Sequence, residues 1–150
     1  MNLSSYLTPD RVVVLRAATK SAALDELVAA LAGDDPAARR RMKDAVLRRE
    51  AMMSTGIGHG LAIPHVRMPG LAQAVMAVGV SPAGLSDYEG LDAEPVRVVV
   101  LIAAPQGQHD LYIRLLAEVV NVLKDPQLRR QVVQAGDTAR MHEILTRNQP

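Results

Sequence analysis

Residues 96–103, VRVVVLIA, constrain this chain more than any other stretch. Apolar at every position but Arg97, the run lacks the in-out alternation of a half-exposed strand. It reads as a strand covered on both faces. Pro95 is tolerated at its start. A sheet containing such a strand needs helices on either side, and the rest of the chain alternates strand and helix patterns, with helices clustered at both ends. The expected fold class is α/β: a single layered domain over residues 1–150, its mixed β-sheet flanked by helices on both faces. At this length roughly 68–70% of the unfolded surface can be buried.

Composition narrows the function. Aromatic residues make up 2% of the chain, with no Trp or Phe, so the core is built from Val, Leu, Ile, Ala and Met. Modules that stack bases on aromatic platforms are excluded. The absence of Cys removes disulfides, thiolate zinc sites and cysteine nucleophiles. Seventeen basic against sixteen acidic side chains leave +1, which is no nucleic-acid footprint. The N-terminus lacks a basic segment followed by a long apolar one, and the longest apolar run, 98–104, is far short of the ~20 residues that span a bilayer. A cytoplasmic domain without direct membrane insertion is expected.

The elements can be placed from periodicity and caps. Residues 11–15 read as a short strand. Ser21 offers a cap for a helix with Leu24, Leu27, Val28 and Leu31 on one stripe, stopped at Gly33. Asp35 and Pro36 start a second helix, with Met42, Ala45, Val46 and Arg49 sharing a face. Residues 54–70 form a glycine-rich loop around a short extended segment at 61–63. Residues 72–80 are another strand candidate. A long helix over 108–124 carries Tyr112, Leu115, Leu116, Val119, Val120 and Leu123 on one stripe. Asp125-Pro126 opens a short helix ending near Gly136, and a last helix from about Thr138 buries Met141, Ile144 and Leu145.

Four histidines are the candidate reactive groups, since imidazole alone among side chains is an unperturbed neutral nucleophile near pH 7. His65 follows Ile63-Pro64, a rigid approach flanked by glycines whose amides can come close to an anion. The competing explanation is a turn histidine without a role. Arg49 strengthens the site: a guanidinium on the apolar stripe of its helix needs a partner or a cleft, either an anion near His65 or a carboxylate such as Asp44 or Glu50. His59 and His142 read as solvent-facing. No metal site is expected, because His59 and His65 have no further ligand cluster, and Gly56-x-Gly58-x-Gly60 has the wrong spacing for a dinucleotide fingerprint. No cofactor is implied.

Residues 49–65, REAMMSTGIGHGLAIPH, closely resemble the active-site signature of the type-2 IIA domains of the bacterial phosphotransferase system, the fructose, mannitol and nitrogen-regulatory branch. There an Arg-Glu pair is followed by a Gly-rich turn and then by L/I-A-I/V-P-H. The order of elements agrees across almost the whole chain. The resemblance implies that His65 accepts a phosphoryl group, on Nε2, from a histidine phosphocarrier protein (HPr-like), and passes it to a sugar-permease domain or signals by its phosphorylation state. It implies that Arg49 holds the phosphoryl oxygens, that Ser54 and Thr55 line the turn as in nitrogen-regulatory members, and that amides of the 54–60 turn, Gly56 and Gly58 included, cradle the group.

The chain departs from that pattern at two places. Family members commonly carry a second histidine at the start of the long helix, where this chain has Tyr112; His109 lies one turn earlier on nearly the same face. His109 substitutes for the missing ring, Tyr112 donates a hydrogen bond in its place, or the domain has lost transfer and kept a binding role. The last alternative is an IIA-like sensor module that binds an anion or nucleotide and regulates a transporter or channel. Val66-Arg67 replaces the usual small residue after the signature histidine, so Val66 is expected to crowd a donor's approach and Arg67 to help an anion dock.

Overall fold

The computed structural model describes residues 2–147; Met1 and residues 148–150 of the expected 1–150 domain lie outside the described residues. The run that dominates the sequence is strand β6, Val96–Pro105, at the centre of a six-stranded mixed sheet. One edge of β6 pairs antiparallel with β5, Val75–Leu85, which in turn pairs parallel with β1, Val12–Val14. The other edge is shared end to end by two short parallel partners: β3, Leu61–Ala62, opposite Val98 and Val99, then β4, His65–Met68, opposite Ile102 through Pro105. Strand β2, Gly56–Gly58, closes that side antiparallel to β3. The expected strand at 72–80 starts later and runs further, and the loop expected over 54–70 folds into three strands, β2 to β4.

Both faces of β6 are covered, as its composition requires. Val98, Val100 and Ile102 enter a core against α3 (His109–Leu123), α4 (Pro126–Gln134) and α5 (Thr138–Thr146), while Val99, Leu101 and Ala103 enter a second core against α1 (Lys20–Ala32) and α2 (Pro36–Met52). The alternation breaks once. The amides of Arg97 and Val98 both donate to the carbonyl of Gly60, at 2.8 and 3.0 Å, and the β5 register jumps between Val80 and Leu85. At this bulge Val96 joins the second core although Val98 belongs to the first.

Helix α1, Lys20–Ala32, is capped by Thr19, whose hydroxyl accepts from the Ala22 amide, so Ser21 lies inside the first turn rather than capping it. Helix α2, Pro36–Met52, begins as expected on Asp35, and α4, Pro126–Gln134, on Asp125; each carboxylate accepts a first-turn amide. The buried stripe of α2 is Met42, Val46 and Glu50. In α3, His109–Leu123, Leu115, Val119 and Leu123 are buried, whereas Val120 is exposed. Helix α5, Thr138–Thr146, buries Met141, Ile144 and Leu145. His142 is half-buried, not solvent-facing: its Nε2–H donates to the Leu7 carbonyl at 2.8 Å and ties α5 to the N-terminal segment.

Candidate functional site

The Pro64 step between β3 and β4 interrupts pairing on the β6 edge, and His65 is the first residue after it, opposite Ile102. Its Nδ1 lies 2.7 Å from the carbonyl oxygen of Ile63. A carbonyl only accepts, so Nδ1 carries the proton and Nε2 keeps its lone pair. Partial burial disfavours the imidazolium and lowers the ring's pKa below the ordinary histidine value; the Ile63 hydrogen bond opposes this, the Arg49 guanidinium reinforces it, and the Glu50 carboxylate opposes it. The ring is therefore neutral, of one tautomer, and nucleophilic at Nε2.

His65 opens onto a cleft of about 690 Å³, lined also by Arg48, Arg49, Met52, Arg67 and Tyr112. Three guanidinium groups and no carboxylate line it, which makes it an anion site. The expected pairing of His65 with Arg49 in one cleft is realised. At the end of α2, the Nη1 of Arg49 donates to the Met53 carbonyl at 2.9 Å. Among the described residues it enters no ion pair, so neither Asp44 nor Glu50 neutralises it. Tyr112 meets the His65 ring in a T-shaped contact, and the guanidinium of Arg67 lies over the Tyr112 ring, 5.8 Å from its centroid. Burial raises the Tyr112 pKa, with Arg49 and Arg67 pulling the other way, so the phenol keeps its proton as a donor.

The remaining expected site residues fall elsewhere. His109 is exposed at the first residue of α3 and shares a separate depression with Asp110, Ile113 and Arg114. Ser54, Thr55, Gly56 and Gly58 do not line the His65 cleft. They face residues 88–92: Ser54 Oγ donates to the Glu89 carbonyl at 2.6 Å, a Cβ on Gly56 would stand 2.1 Å from the same oxygen, and a Cβ on Gly58 would meet Asp92 at 3.0 Å. Three of the turn's amides are already used, Thr55 N on Glu50, Gly56 N on Ser54 Oγ, His59 N on Asp92. The glycines permit a close-packed hairpin that braces the strand leading to His65. Val66, expected to crowd the approach, also lines the cleft, but strand alternation buries most of its side chain in the core against α1 and α2, away from the face shared by His65 and Arg67.

Sequence reasoning offered Glu50 only as a partner for Arg49 and missed its place in a buried network. Its carboxylate is buried, 2.9 Å from Lys20 Nζ, and accepts from the Thr55 hydroxyl at 2.6 Å and the Thr55 amide at 3.2 Å. The Tyr88 hydroxyl completes the network at 2.8 Å from Thr55 Oγ1, with Lys20 Nζ 4.4 Å above the Tyr88 ring. The signal was available: Glu50 follows Val46 by four residues and Met42 by eight, the spacing of a buried stripe. Among the described residues no group of three His, Cys, Asp or Glu side chains could hold a metal, and no helix is long and apolar enough to cross a membrane.

Fold and site together define an α/β domain organised around a single-tautomer histidine in an arginine-rimmed cleft. Residues 5–148 match the model for the phosphoenolpyruvate-dependent sugar phosphotransferase system, EIIA 2, and the chain belongs to that family. It is similar to the fructose-specific EIIABC component of Bacillus subtilis, 31% identical over 153 residues that cover 99% of this chain but only 24% of that protein. It is also similar to the nitrogen regulatory protein of Bradyrhizobium diazoefficiens, 27% identical over 97% of this chain and 95% of that one. The crystal structure of nitrogen regulatory protein IIA-Ntr from Neisseria meningitidis superposes with a TM-score of 0.87 at 21% identity, covering 96% of this chain and 99% of the other; that likeness is one of fold.

Proposed function

We propose that this domain is a cytoplasmic phosphoryl carrier that accepts a phosphoryl group on Nε2 of His65 from a histidine phosphocarrier protein. It then passes the group on, or signals to a partner by its phosphorylation state. The observation that carries the reading is the Nδ1–H bond to the Ile63 carbonyl, which leaves Nε2 as the free nitrogen in a cleft rimmed by Arg48, Arg49 and Arg67. The Nε2 lone pair attacks phosphorus as the donor's phosphorus–nitrogen bond breaks, and the donor imidazole leaves with that electron pair. The ring of His65 gains positive character, which its Nδ1–H shares with the carbonyl. Arg49 and Arg67 neutralise the equatorial oxygens, the principal demand of phosphoryl transfer, and the Tyr112 hydroxyl donates to one of them.

A regulatory role is favoured over a step in sugar transport. The Ser54-Thr55-Gly56 turn resembles the nitrogen-regulatory members, and the match to the Bradyrhizobium protein extends over nearly all of its length. The test is incubation with a phosphorylated histidine phosphocarrier, followed by mass spectrometry at neutral pH. One acid-labile phosphoryl group on the His65 peptide is expected, and none on His65→Ala. A protein that stays unlabelled while the carrier remains phosphorylated would leave the sensor reading, for which Tyr112 in place of a second histidine is the specific support.

A further inference from the structure

A second cavity, of about 390 Å³, lies between the β2–β3 hairpin, strand β6 and helix α4. His59, Arg97, Arg129 and Arg130 line it together with Val98 and Val133, and none of these residues lines the His65 cleft. No carboxylate side chain lines it either. Among the described residues none of the three arginines enters an ion pair. Arg129 is half-buried and fixed by an Nη1 hydrogen bond to the Leu123 carbonyl at 2.7 Å, while Arg97 Nη1 reaches the Pro82 carbonyl at 3.4 Å. His59 is the one non-glycine residue with positive φ among those described, 58°, where the two-residue hairpin turn places it beside Gly60. Positive φ at both residues is what a two-residue hairpin turn requires, and the turn sets the imidazole at the edge of the cationic cavity.

Three unpaired guanidinium groups over an apolar floor specify their ligand chemically. Planar forks match the oxygens of phosphate, and a doubly charged group uses more than one of them. Pro126 and Val133 offer the uncharged part of a ligand a surface to cover, and the volume falls in the range of small-molecule sites. We propose that this cavity binds a small organic phosphate, its oxygens on Arg97, Arg129 and Arg130 and its less polar portion against Pro126 and Val133. The site is separate from the His65 cleft, and its occupancy does not depend on phosphoryl transfer.

Isothermal titration calorimetry with ADP as probe, at physiological salt, tests this on the whole chain. Saturable binding of one ADP is expected, weakened at least tenfold in Arg97→Gln/Arg130→Gln. Arg130 is exposed, and Arg97, half-buried, gives up a 3.4 Å hydrogen bond to the Pro82 carbonyl, so that variant keeps its circular dichroism spectrum. Arg49→Gln/Arg67→Gln, in the other cleft, and Arg40→Gln/Arg41→Gln, exposed on α2, leave the affinity within twofold. Pyrophosphate, which has no uncharged portion to lay against Pro126 and Val133, binds at least fivefold more weakly than ADP. Absence of saturable binding at millimolar ADP overturns the proposal. So does loss of affinity confined to the Arg49/Arg67 variant, equal weakening by the Arg40/Arg41 control, or pyrophosphate binding as tightly as ADP.

Discussion

Tyr112 meets His65 edge-on, with ring centroids 5.3 Å apart and planes at 61°. The contact sets a phenol beside the proposed phosphoryl acceptor, where family members commonly carry a second imidazole. Tyr112→Phe keeps the ring contact and removes only the O–H. Losing a hydrogen bond to a charged group costs about 1.5–3 kcal/mol, so phosphoryl transfer to His65 should slow roughly 10- to 100-fold with the melting temperature unchanged. Labelling as fast as in the parent would show that the hydroxyl takes no part, and stopped-flow quench kinetics reads the difference.

The depressed pKa of His65 has a sign that can be checked. Because the folded ring resists protonation, the unfolded chain binds more protons below its own histidine pKa of ~6.5, so stability falls as pH drops through that value toward the lower folded pKa. Urea titrations of His65→Ala should lose less stability between pH 7 and 5 than those of the parent. Labelling of the parent should hold its rate from pH 8 to below 6.5, where a fully exposed histidine would already be failing. A rate that halves near 6.5 would contradict the burial argument.

Arg49 and Glu50 are neighbours with opposite roles. Arg49→Gln removes a guanidinium from the cleft and one hydrogen bond to Met53, so labelling should fall at least tenfold for about 1 kcal/mol of stability. Glu50→Ala strands Lys20 and the Thr55 amide and hydroxyl around a cavity; a loss of about 2–3 kcal/mol is expected, the lower side of a broken buried pair because Lys20 is partly exposed. Chemical denaturation of the two variants separates them. Equal destabilisation would mean that Arg49 is structural.

Gly56 and Gly70 test the role given to the glycine run. A Cβ on Gly56 collides with backbone at Glu89, so Gly56→Ala should cost about 3 kcal/mol or prevent folding. Gly70 has φ +86° and open space around it, so Gly70→Ala pays only for its backbone conformation, about 1–2 kcal/mol. Thermal melts rank the pair, and the reverse order would remove the close-packed hairpin from the account.

The α/β class and most helix boundaries were legible because their causes are local. Asp35-Pro36 and Asp125-Pro126 carry their caps with them, and Leu115, Val119 and Leu123 keep helical spacing whatever they pack against. The α1 start was misplaced by two residues because Thr19 and Ser21 have equivalent hydroxyls. Only the backbone's extended conformation at Thr19 selects it. Of the site, His65 and Arg49 were visible, one from the resemblance and the rigid Ile-Pro approach, the other from a charge on an apolar stripe.

The chain alone determined which residues are apolar, where α2 and α4 start, and that a histidine follows a proline at the end of a glycine-rich run. Tertiary structure decided what each of these faces. Pairing of β4 with the far half of β6 turns His65 and Arg67 toward Tyr112 and sends Val66 into the core; folding of the glycine run engages three amides expected to be free, Thr55 on Glu50, Gly56 on Ser54 and His59 on Asp92. Strand side chains alternate, so one step of register exchanges the inner and outer sets. That step is set by partners distant in sequence, and no local pattern reveals it.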